Sequence, residues 1–371
     1  MKKIIVTDEI KLLAERYAKE LEYGTTLSTK PLENLKNLRK ALQRKGTQLY
    51  MPVKLRKDNS RKKQRYQASQ IPEYAEYIQF IIDTYTDINK LQPWNYPVFI
   101  SKMETILKKE QLKAIVKISK QKPYTFADLI IKAMDYKGIR EKVYPDYVRN
   151  EAIGIKTCVY CNAQYAITAE TEAPISSAFL KKRGKSKRAS IQYRSAVLRA
   201  NYELDHNLPK SIYPYLCTNF YNLIPCCSSC NKHKSDRYLD FSLYARADDD
   251  LEPLYFDIPP DILLKFQIHN VCSGLHVELC DKKNGILAKD FNKYFAIESI
   301  YKEHSEEIRE LLWRYKIYSS SNMAALKESL PSLFCDGFDI DRFILGTYAD
   351  VNDVFKRPLT KLKQDIMRQL K

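Results

Sequence analysis

Two stretches of the sequence decide the fold: residues 202–211 read YELDHNLPKS, and residues 221–234 read YNLIPCCSSCNKHK. The second contains two cysteines separated by two residues, and CVYC at residues 158–161 repeats that spacing upstream. Two intervening residues let both sulfurs of a pair face one ion from a tight turn, and two such turns complete a tetrahedral zinc site. The pattern therefore predicts a structural zinc site that joins the two ends of a long central segment.

The predicted zinc ligands are the four cysteines of these pairs, Cys158, Cys161, Cys227 and Cys230. Cys226 is a rival of Cys227, but a spacing of CxxxC to Cys230 makes a poorer turn, and we therefore prefer Cys227. The alternative is a set of four buried thiols that bind no metal. The chain has nine cysteines, an odd number, and its start does not resemble a secretory signal, so we do not expect a disulfide scaffold.

The composition excludes several classes of protein. Of the 371 residues 44% are hydrophobic, which is enough for a folded core and too much for a disordered chain. No run approaches the ~18 consecutive apolar residues of a membrane span, so we expect no membrane partner. Because the first residues, Met1 to Tyr23, lack the pattern of a signal peptide, we expect a cytoplasmic protein. Neither a Walker-type loop nor a GxGxxG motif occurs.

The net charge of +17 is concentrated in the first part of the chain. Residues 1–150 carry 31 basic and 17 acidic side chains, whereas residues 251–371 carry 17 and 18. Two dense basic runs stand out, KLRKDNSRKKQR at residues 54–65 and KKRGKSKR at residues 181–188. Such a surface suits an anionic polymer, and DNA is the partner we expect. The alternative is a solvated, lysine-rich surface that binds nothing specific.

The spacing of apolar residues predicts an α+β protein in three parts. Residues 1–150 show helical spacing and form a basic helical domain for DNA or partner binding. Residues 151–242 contain the cysteine pairs and form a central module with a basic insertion. Residues 243–371 are mixed and mostly helical, and we expect them to dock a partner. Within this last part, short apolar runs predict strands at 264–271 and 275–280.

The residues between the cysteine pairs have the side chains that phosphodiester hydrolysis needs. The reaction needs a base for water, a cation to neutralise charge on the phosphate, and stabilisation of the leaving oxygen. Asp205 is a hard oxygen ligand suited to Mg²⁺ or Mn²⁺, and His206 beside it is a base at neutral pH. Asn231 offers a second, neutral oxygen ligand, and Lys234, one helical turn further on, can hold a phosphate.

The order of these residues resembles that of the HNH endonucleases, the ββα-metal family. The family frame is CxxC, then (E)xDH, then an asparagine before an apolar pair, and then CxxCNxxK. Here the four elements are residues 158–161, residues 203–206, Asn222 with Leu223 and Ile224, and residues 227–234. The resemblance covers about a fifth of the chain, and it implies a central ββα-metal module on a structural Zn²⁺ site, flanked by mainly helical regions.

The resemblance also implies a role for each residue of the site. His206 would be the general base that activates water. Asp205 and Asn231 would hold the catalytic Mg²⁺ or Mn²⁺. Asn222 would brace the loop that carries His206 and fix its ring, and Lys234 would complete the catalytic set.

Several positions keep alternatives open. Asn231 stands where the family often has a second histidine, and His233 lies on another helix face, where we expect it to contact DNA or solvent. Glu203 can join the metal site, stay solvated or pair with Lys210, and Lys210 can contact a phosphate or shape a turn. We expect the 27 tyrosines to serve packing more than base stacking. The nucleic-acid contacts we predict are Arg61, Lys62, Lys63, Lys181, Lys182, Arg183 and Lys210.

The resemblance therefore predicts a metal-dependent endonuclease that hydrolyses DNA. The motif order is also similar to that of HNH subunits of bacterial anti-phage modules, of the Septu and retron-linked kinds, in which an ATPase partner controls the nuclease. One alternative is an inactive zinc-containing protein that binds nucleic acid or serves as a scaffold. Another is a restriction-type nuclease that acts alone. The sequence leaves the oligomeric state and the DNA specificity open.

Overall fold

The computed structural model describes residues 1–24, 26–27, 29–52, 63–65, 71–118, 122–174, 194–334 and 339–371. Within these residues the chain is a mixed α and β protein with many helices and several small sheets. The α+β class predicted from the sequence is therefore confirmed. Side chains are described throughout these ranges except at residues 51–52, 63–65, 171–174, 194–197 and 333.

Helices in the first part of the chain begin where the sequence places its capping residues. The Thr7 side chain accepts a hydrogen bond from the backbone N–H of Ile10 and starts the helix Asp8–Tyr23. Pro31 opens the helix Pro31–Leu42, where its missing N–H costs no hydrogen bond. Apolar residues at helical spacing are buried in both helices, as their sequence pattern predicted.

Most of the described helices are short, so tertiary packing contributes more to their stability than helix propensity does. Their bounds are Asp8–Tyr23, Pro31–Leu42, Ile71–Asp83, Tyr85–Lys90, Tyr96–Ile106, Phe126–Ala133, Tyr136–Gly138, Tyr144–Val148, Ser228–Lys234, Pro260–His269, Ile286–Phe295, Ile297–Lys302, Ser305–Ile317, Ser320–Ser329, Ile340–Leu345 and Thr360–Leu370. None of these helices is long and apolar enough to cross a membrane.

The strands of the described residues form five small sheets. Four are two-stranded: Ile4–Ile5 with Tyr244–Ala245, Thr168–Pro174 with Arg194–Ala200, Glu203–His206 with Leu223–Cys226, and Leu254–Asp257 with Glu278–Asp281. The fifth has four strands in the order Lys63–Arg65, Gln48–Pro52, Ile115–Lys117 and Tyr124–Thr125. The pair formed by Ile4–Ile5 is parallel, and the other pairs are antiparallel.

The prediction of a strand at residues 264–271 is wrong, because most of this segment belongs to the helix Pro260–His269. Ile262 and Phe266 are its buried residues, four positions apart, so they lie on one face of the helix. Asn270 ends the helix in the left-handed conformation, with φ of 59°. The second predicted strand, 275–280, overlaps the strand Glu278–Asp281, which pairs with Leu254–Asp257.

Buried aromatic rings join the N-terminal helices to the centre of the chain. The Tyr17 ring lies 5.8 Å from Tyr144 and 5.5 Å from Phe220, and the Phe220 ring lies 6.1 Å from Tyr244. The tyrosines are prominent among the largest fully buried side chains. The prediction that tyrosines serve packing is confirmed for these residues.

The sequence indicated a division of the chain into three parts, with boundaries after residues 150 and 242. Contacts in the structure cross both boundaries. Asn162 accepts the backbone N–H of Leu359 on its carbonyl at 2.7 Å and that of Lys361 on its side chain at 3.0 Å. At the other end, Ile4–Ile5 pairs with Tyr244–Ala245. The buried apolar residues accordingly form one continuous core across the described parts of the chain.

Candidate functional site

The centre of the site is an antiparallel hairpin followed by a short helix. The strands Glu203–His206 and Leu223–Cys226 pair so that Asp205 faces Ile224 and His206 faces Leu223; we call them the site hairpin. The helix Ser228–Lys234, the site helix, starts directly after the second strand. The chain therefore runs strand, strand, helix through the residues that the sequence singled out.

The four cysteines predicted as zinc ligands lie together. The sulfurs of Cys158, Cys161, Cys227 and Cys230 are all within 4.8 Å of one another, and all four residues are buried; we call them the cysteine cluster. Four thiol ligands at this separation match the donor set of a closed tetrahedral zinc site. The cluster can therefore hold one Zn²⁺ ion.

The structure also decides between the rivals Cys226 and Cys227. The Cys226 thiol approaches the carbonyl oxygen of Glu203 at 3.7 Å, on the neighbouring strand, and is not part of the cysteine cluster. Cys227 caps the site helix, and its sulfur accepts a hydrogen bond from the backbone N–H of Cys230 at 3.5 Å. The cysteine cluster therefore contains Cys227, the preferred residue, and not Cys226.

The surroundings of the cluster shift the pKa values of its thiols. Hydrogen bonds from Cys158, Cys161 and Cys230 lower the pKa of Cys227, which also lies at a helix N-terminus. Burial raises the pKa of Cys158. The neighbouring thiols and the N-terminus of the site helix therefore both favour the thiolate form of Cys227.

Asp205 is almost completely buried, and two side chains contact the same oxygen of its carboxylate. The hydroxyl of Tyr160 donates to Oδ2 at 2.5 Å, a length typical of a hydroxyl bonded to a charged carboxylate. The Nζ of Lys234 lies 2.9 Å from the same oxygen. Burial raises the pKa of Tyr160, so its hydroxyl keeps its proton and acts as the donor. Neither of these contacts involves the other carboxylate oxygen, Oδ1.

Lys234 faces inward. Its side chain is 1% exposed, and its Nζ donates to the carbonyl oxygen of His206 at 2.9 Å besides contacting Asp205. Lys234 shares the buried face of the site helix with Cys230, one turn earlier. The structure therefore places the ammonium group against the site hairpin, where it neutralises Asp205, and not in the open cleft where a phosphate could bind it.

His206 is buried, and its ring is held from two sides. Its Nε2 lies 3.0 Å from the carbonyl oxygen of Cys217, and the Tyr136 ring packs 4.9 Å away. Burial, followed by the nearby charge of Lys210, lowers the pKa of His206 to about 3. The imidazole is therefore neutral at pH 7. Because a carbonyl can only accept, Nε2 carries the proton, and Nδ1 has the free lone pair.

Asn222 fixes the loop that follows His206. Its side-chain amide accepts from the backbone N–H of Leu208 at 2.7 Å and donates to the carbonyls of Leu208 at 3.1 Å and Leu216 at 3.0 Å. These three bonds close both ends of the loop. The loop leads into Cys217, whose carbonyl contacts His206, so the Asn222 side chain supports the position of the imidazole indirectly.

Asp205, His206 and Asn231 line one small cleft of about 240 Å³ beside the site helix. Pro209, Lys210 and Asp236 also line it. Asn231 is half-buried, whereas His233 is exposed and is not among the residues that line the cleft. The structure thus brings together the acid, the imidazole and the asparagine that the sequence singled out.

Glu203 and Lys210 do not pair with each other. Glu203 lies 3.5 Å from the guanidinium of Arg140, and the Lys210 ammonium lies 5.0 Å above the Tyr136 ring. Tyr136 donates its hydroxyl to the carbonyl of Leu204 at 3.0 Å, so it is fixed to the site hairpin. Lys210 consequently presents a positive charge at the edge of the cleft.

The sequence missed two tyrosines of the site, Tyr136 and Tyr160. Tyr160 lies between the first two cysteines, and this position is the signal that could have drawn attention to it. Tyr136 belongs to a helix far upstream and carries no comparable signal. Both contacts depend on how distant parts of the chain pack together.

Of the predicted nucleic-acid contacts, only Lys210 can be placed. Arg61, Lys62, Lys181, Lys182 and Arg183 lie outside the described residues. Lys63 belongs to the strand Lys63–Arg65, and its side chain is outside the described part.

Comparisons with models of protein families, with curated proteins and with solved structures found no match.

Proposed function

We propose that this protein is a metal-dependent HNH endonuclease that hydrolyses phosphodiester bonds of DNA. The observation that carries the proposal is the shared cleft: a strand, a strand and a helix bring Asp205, His206 and Asn231 together beside four clustered cysteines. The ββα-metal family implies this order of elements and this set of residues.

His206 would act as the general base. The hydrogen bond from Nε2 to the carbonyl of Cys217 leaves Nδ1 of the neutral imidazole as the proton acceptor. Asn222 supports this arrangement because it fixes the loop that leads to Cys217. Nδ1 would take the proton from the attacking water and transfer it later to solvent.

Asp205 and Asn231 would hold the catalytic Mg²⁺ or Mn²⁺. A carboxylate and an amide oxygen are ligands that these hard cations prefer, and both side chains line the cleft. When bound, the cation would neutralise the phosphate and stabilise the 3′ leaving oxygen, which leaves a 5′ phosphate on the product. Lys210 at the cleft edge would attract the DNA backbone, aided by the overall charge of +17.

The test is cleavage of a supercoiled plasmid by the zinc-loaded chain in Mg²⁺ or Mn²⁺. We expect His206→Ala to lower the nicking rate by at least about a hundredfold while DNA binding persists, since general-base catalysis contributes about 10²–10⁴-fold. His269→Ala is the matched control, because His269 is exposed on the helix Pro260–His269 and should leave the rate unchanged. Nicking by His206→Ala at the wild-type rate would refute the role of the base.

An inactive zinc-containing scaffold or nucleic-acid-binding protein is the second candidate. The observation that favours it is the Lys234 ammonium, which already neutralises Asp205 without any added cation. That protein would bind DNA equally well with and without EDTA and would not nick it. EDTA-sensitive nicking by the wild-type chain would exclude this candidate.

We propose further that the nuclease is an effector of bacterial anti-phage defence and works with an ATPase partner. The order of motifs supports this role, and the nearly neutral segment 251–371 leaves a surface suited to protein rather than DNA. Copurification from the native host, followed by nicking with and without ATP, tests it. Full activity without any partner would favour a restriction-type nuclease that acts alone.

A further inference from the structure

Tyr160 connects the cysteine cluster to the cleft. It lies between Cys158 and Cys161, and its hydroxyl donates to Oδ2 of Asp205 at 2.5 Å. The contact joins residues that are 45 positions apart in the chain. A side chain that belongs to the first cysteine pair therefore contacts the carboxylate that lines the cleft.

The ring of Tyr160 has little freedom to move. It is fully buried and stacks on Phe295, with ring centres 4.7 Å apart and planes 17° from parallel. Phe291 packs against it edge-on, with ring centres 6.3 Å apart and planes at 64°. Both phenylalanines belong to the helix Ile286–Phe295, so this helix sets the place of the hydroxyl.

The backbone of the same cysteine pair is held separately. Tyr301 donates its hydroxyl to the carbonyl oxygen of Cys161 at 2.6 Å, and it is also fully buried. Two buried tyrosine hydroxyls thus serve one turn: Tyr301 fixes its backbone, and Tyr160 extends from it to Asp205. Substitutions of Tyr160 and Tyr301 therefore form a matched pair for experiment, because only Tyr160 contacts Asp205.

We propose that Tyr160 is a positioning residue that orients the Asp205 carboxylate for the divalent cation of the cleft. Its hydroxyl and Lys234 both contact Oδ2, so neither of these contacts uses Oδ1 of the carboxylate that lines the cleft. Partners that hydrogen-bond to a metal ligand fix its orientation and raise metal affinity. The use of that cation in DNA cleavage rests on the proposed function, but its binding to Asp205 can be measured without cleavage.

The experiment titrates Mn²⁺ into the zinc-loaded full chain and follows binding by calorimetry. We expect Asp205→Asn to abolish the binding and Tyr160→Phe to weaken it about tenfold, since loss of such a partner costs about 10–100-fold in metal affinity. The Mn²⁺ concentration for half-maximal nicking should rise by the same factor. The nicking rate at saturating Mn²⁺ should stay close to that of wild type, which separates positioning from a direct role in the chemistry.

Tyr301→Phe is the control, since it removes a buried hydroxyl that contacts the same turn without removing a contact to Asp205. It should leave Mn²⁺ affinity unchanged. Unchanged affinity in Tyr160→Phe, an equal loss in Tyr301→Phe, or wild-type Mn²⁺ binding that does not depend on Asp205 would each overturn the proposal. Zinc content and melting temperature show whether each variant is folded.

A second variant keeps the test valid if Tyr160→Phe loses zinc or melts early. Phe295→Leu keeps the Tyr160 hydroxyl but removes the ring that stacks on the Tyr160 ring. We expect a smaller loss of Mn²⁺ affinity in the same direction, and no loss would refute the proposal. A wild-type chain that binds Mn²⁺ through Asp205 but never nicks DNA would instead refute the nuclease and leave the role of Tyr160 standing.

Discussion

At the scale of single residues, Lys234 and Asp205 form a buried ion pair beside the cleft. Their side chains are 1% and 7% exposed, so neither charge is solvated once its partner is removed. We expect Lys234→Met to lower the free energy of unfolding by about 3 kcal/mol, because it leaves the Asp205 carboxylate buried without a cation. Urea unfolding with and without Mn²⁺ measures this loss, and Mn²⁺ should restore part of it.

Lys232→Met provides the comparison for this prediction. Lys232 lies on the same helix but is exposed, so its loss should change the free energy of unfolding by less than about 0.5 kcal/mol. Equal effects of the two substitutions would show that the Lys234 ion pair contributes nothing of its own.

The role of Lys234 also shows the limit of what its motif can predict. The spacing CxxCNxxK singled out the residue, and the structure brings it to Asp205. The spacing did not reveal that the ammonium faces inward, because that depends on packing between the site helix and the site hairpin. The Tyr160–Asp205 bond was missed for the same reason.

At the scale of elements, the cysteine cluster joins the turn at residues 158–161 to the start of the site helix. Elemental analysis should find one zinc per wild-type chain, as a four-thiol site predicts. Cys227→Ser should lose this zinc and lower the melting temperature. Cys226→Ser should retain the zinc, since that thiol contacts Glu203 and not the cluster. Loss of zinc in Cys226→Ser alone would reverse the assignment.

Metal-ligand spacing was the most reliable predictor of local structure in this chain. The two CxxC pairs lie where the sequence expected, because few arrangements bring four sulfurs to one ion. The run at 264–271 was assigned wrongly because a short apolar stretch fits either a strand or a buried helix face. Pro260 at the start and Asn270 at the end are what mark this segment as a helix.

At the scale of the whole molecule, Glu252 ties the middle of the chain to its last described helix. Its carboxylate accepts from Lys361 at 3.1 Å and from Arg368 at 2.8 and 3.0 Å. Burial opposes ionisation, but the hydrogen bonds and charges of Arg368 and Lys361 prevail and lower the pKa of Glu252 from 4.5 to about 2. The stability it contributes is therefore present above pH 4.5 and is lost as the pH falls toward 2.

Glu252→Gln tests this contribution. We expect the free energy of unfolding at pH 7 to fall by about 2 kcal/mol, as for lost hydrogen bonds to charged groups. The variant should also lose less stability than wild type between pH 4.5 and 2. Glu328→Gln, at an exposed glutamate of the helix Ser320–Ser329, should behave as wild type throughout. Parallel pH profiles for wild type and Glu252→Gln would contradict the prediction.

The distribution of charge divides the chain into parts, whereas its buried core does not. The sequence divides into a basic first part and a nearly neutral last part, because charges lie mostly on the surface. The core is continuous, since the ring of Phe220 contacts those of Tyr17 and Tyr244, and Asn162 holds the segment around Lys361. Charge could therefore predict a partner surface, but it could not predict how the parts pack together.

The most direct test of the proposed nuclease is a time course of plasmid nicking by the zinc-loaded chain and its His206→Ala variant. The wild-type chain should nick in Mg²⁺ or Mn²⁺, stop when EDTA is added, and leave ends that DNA ligase reseals. His206→Ala should bind the plasmid and leave it supercoiled. Nicking by His206→Ala at the wild-type rate, or none by the wild-type chain in either metal, would contradict the assignment of His206 as general base.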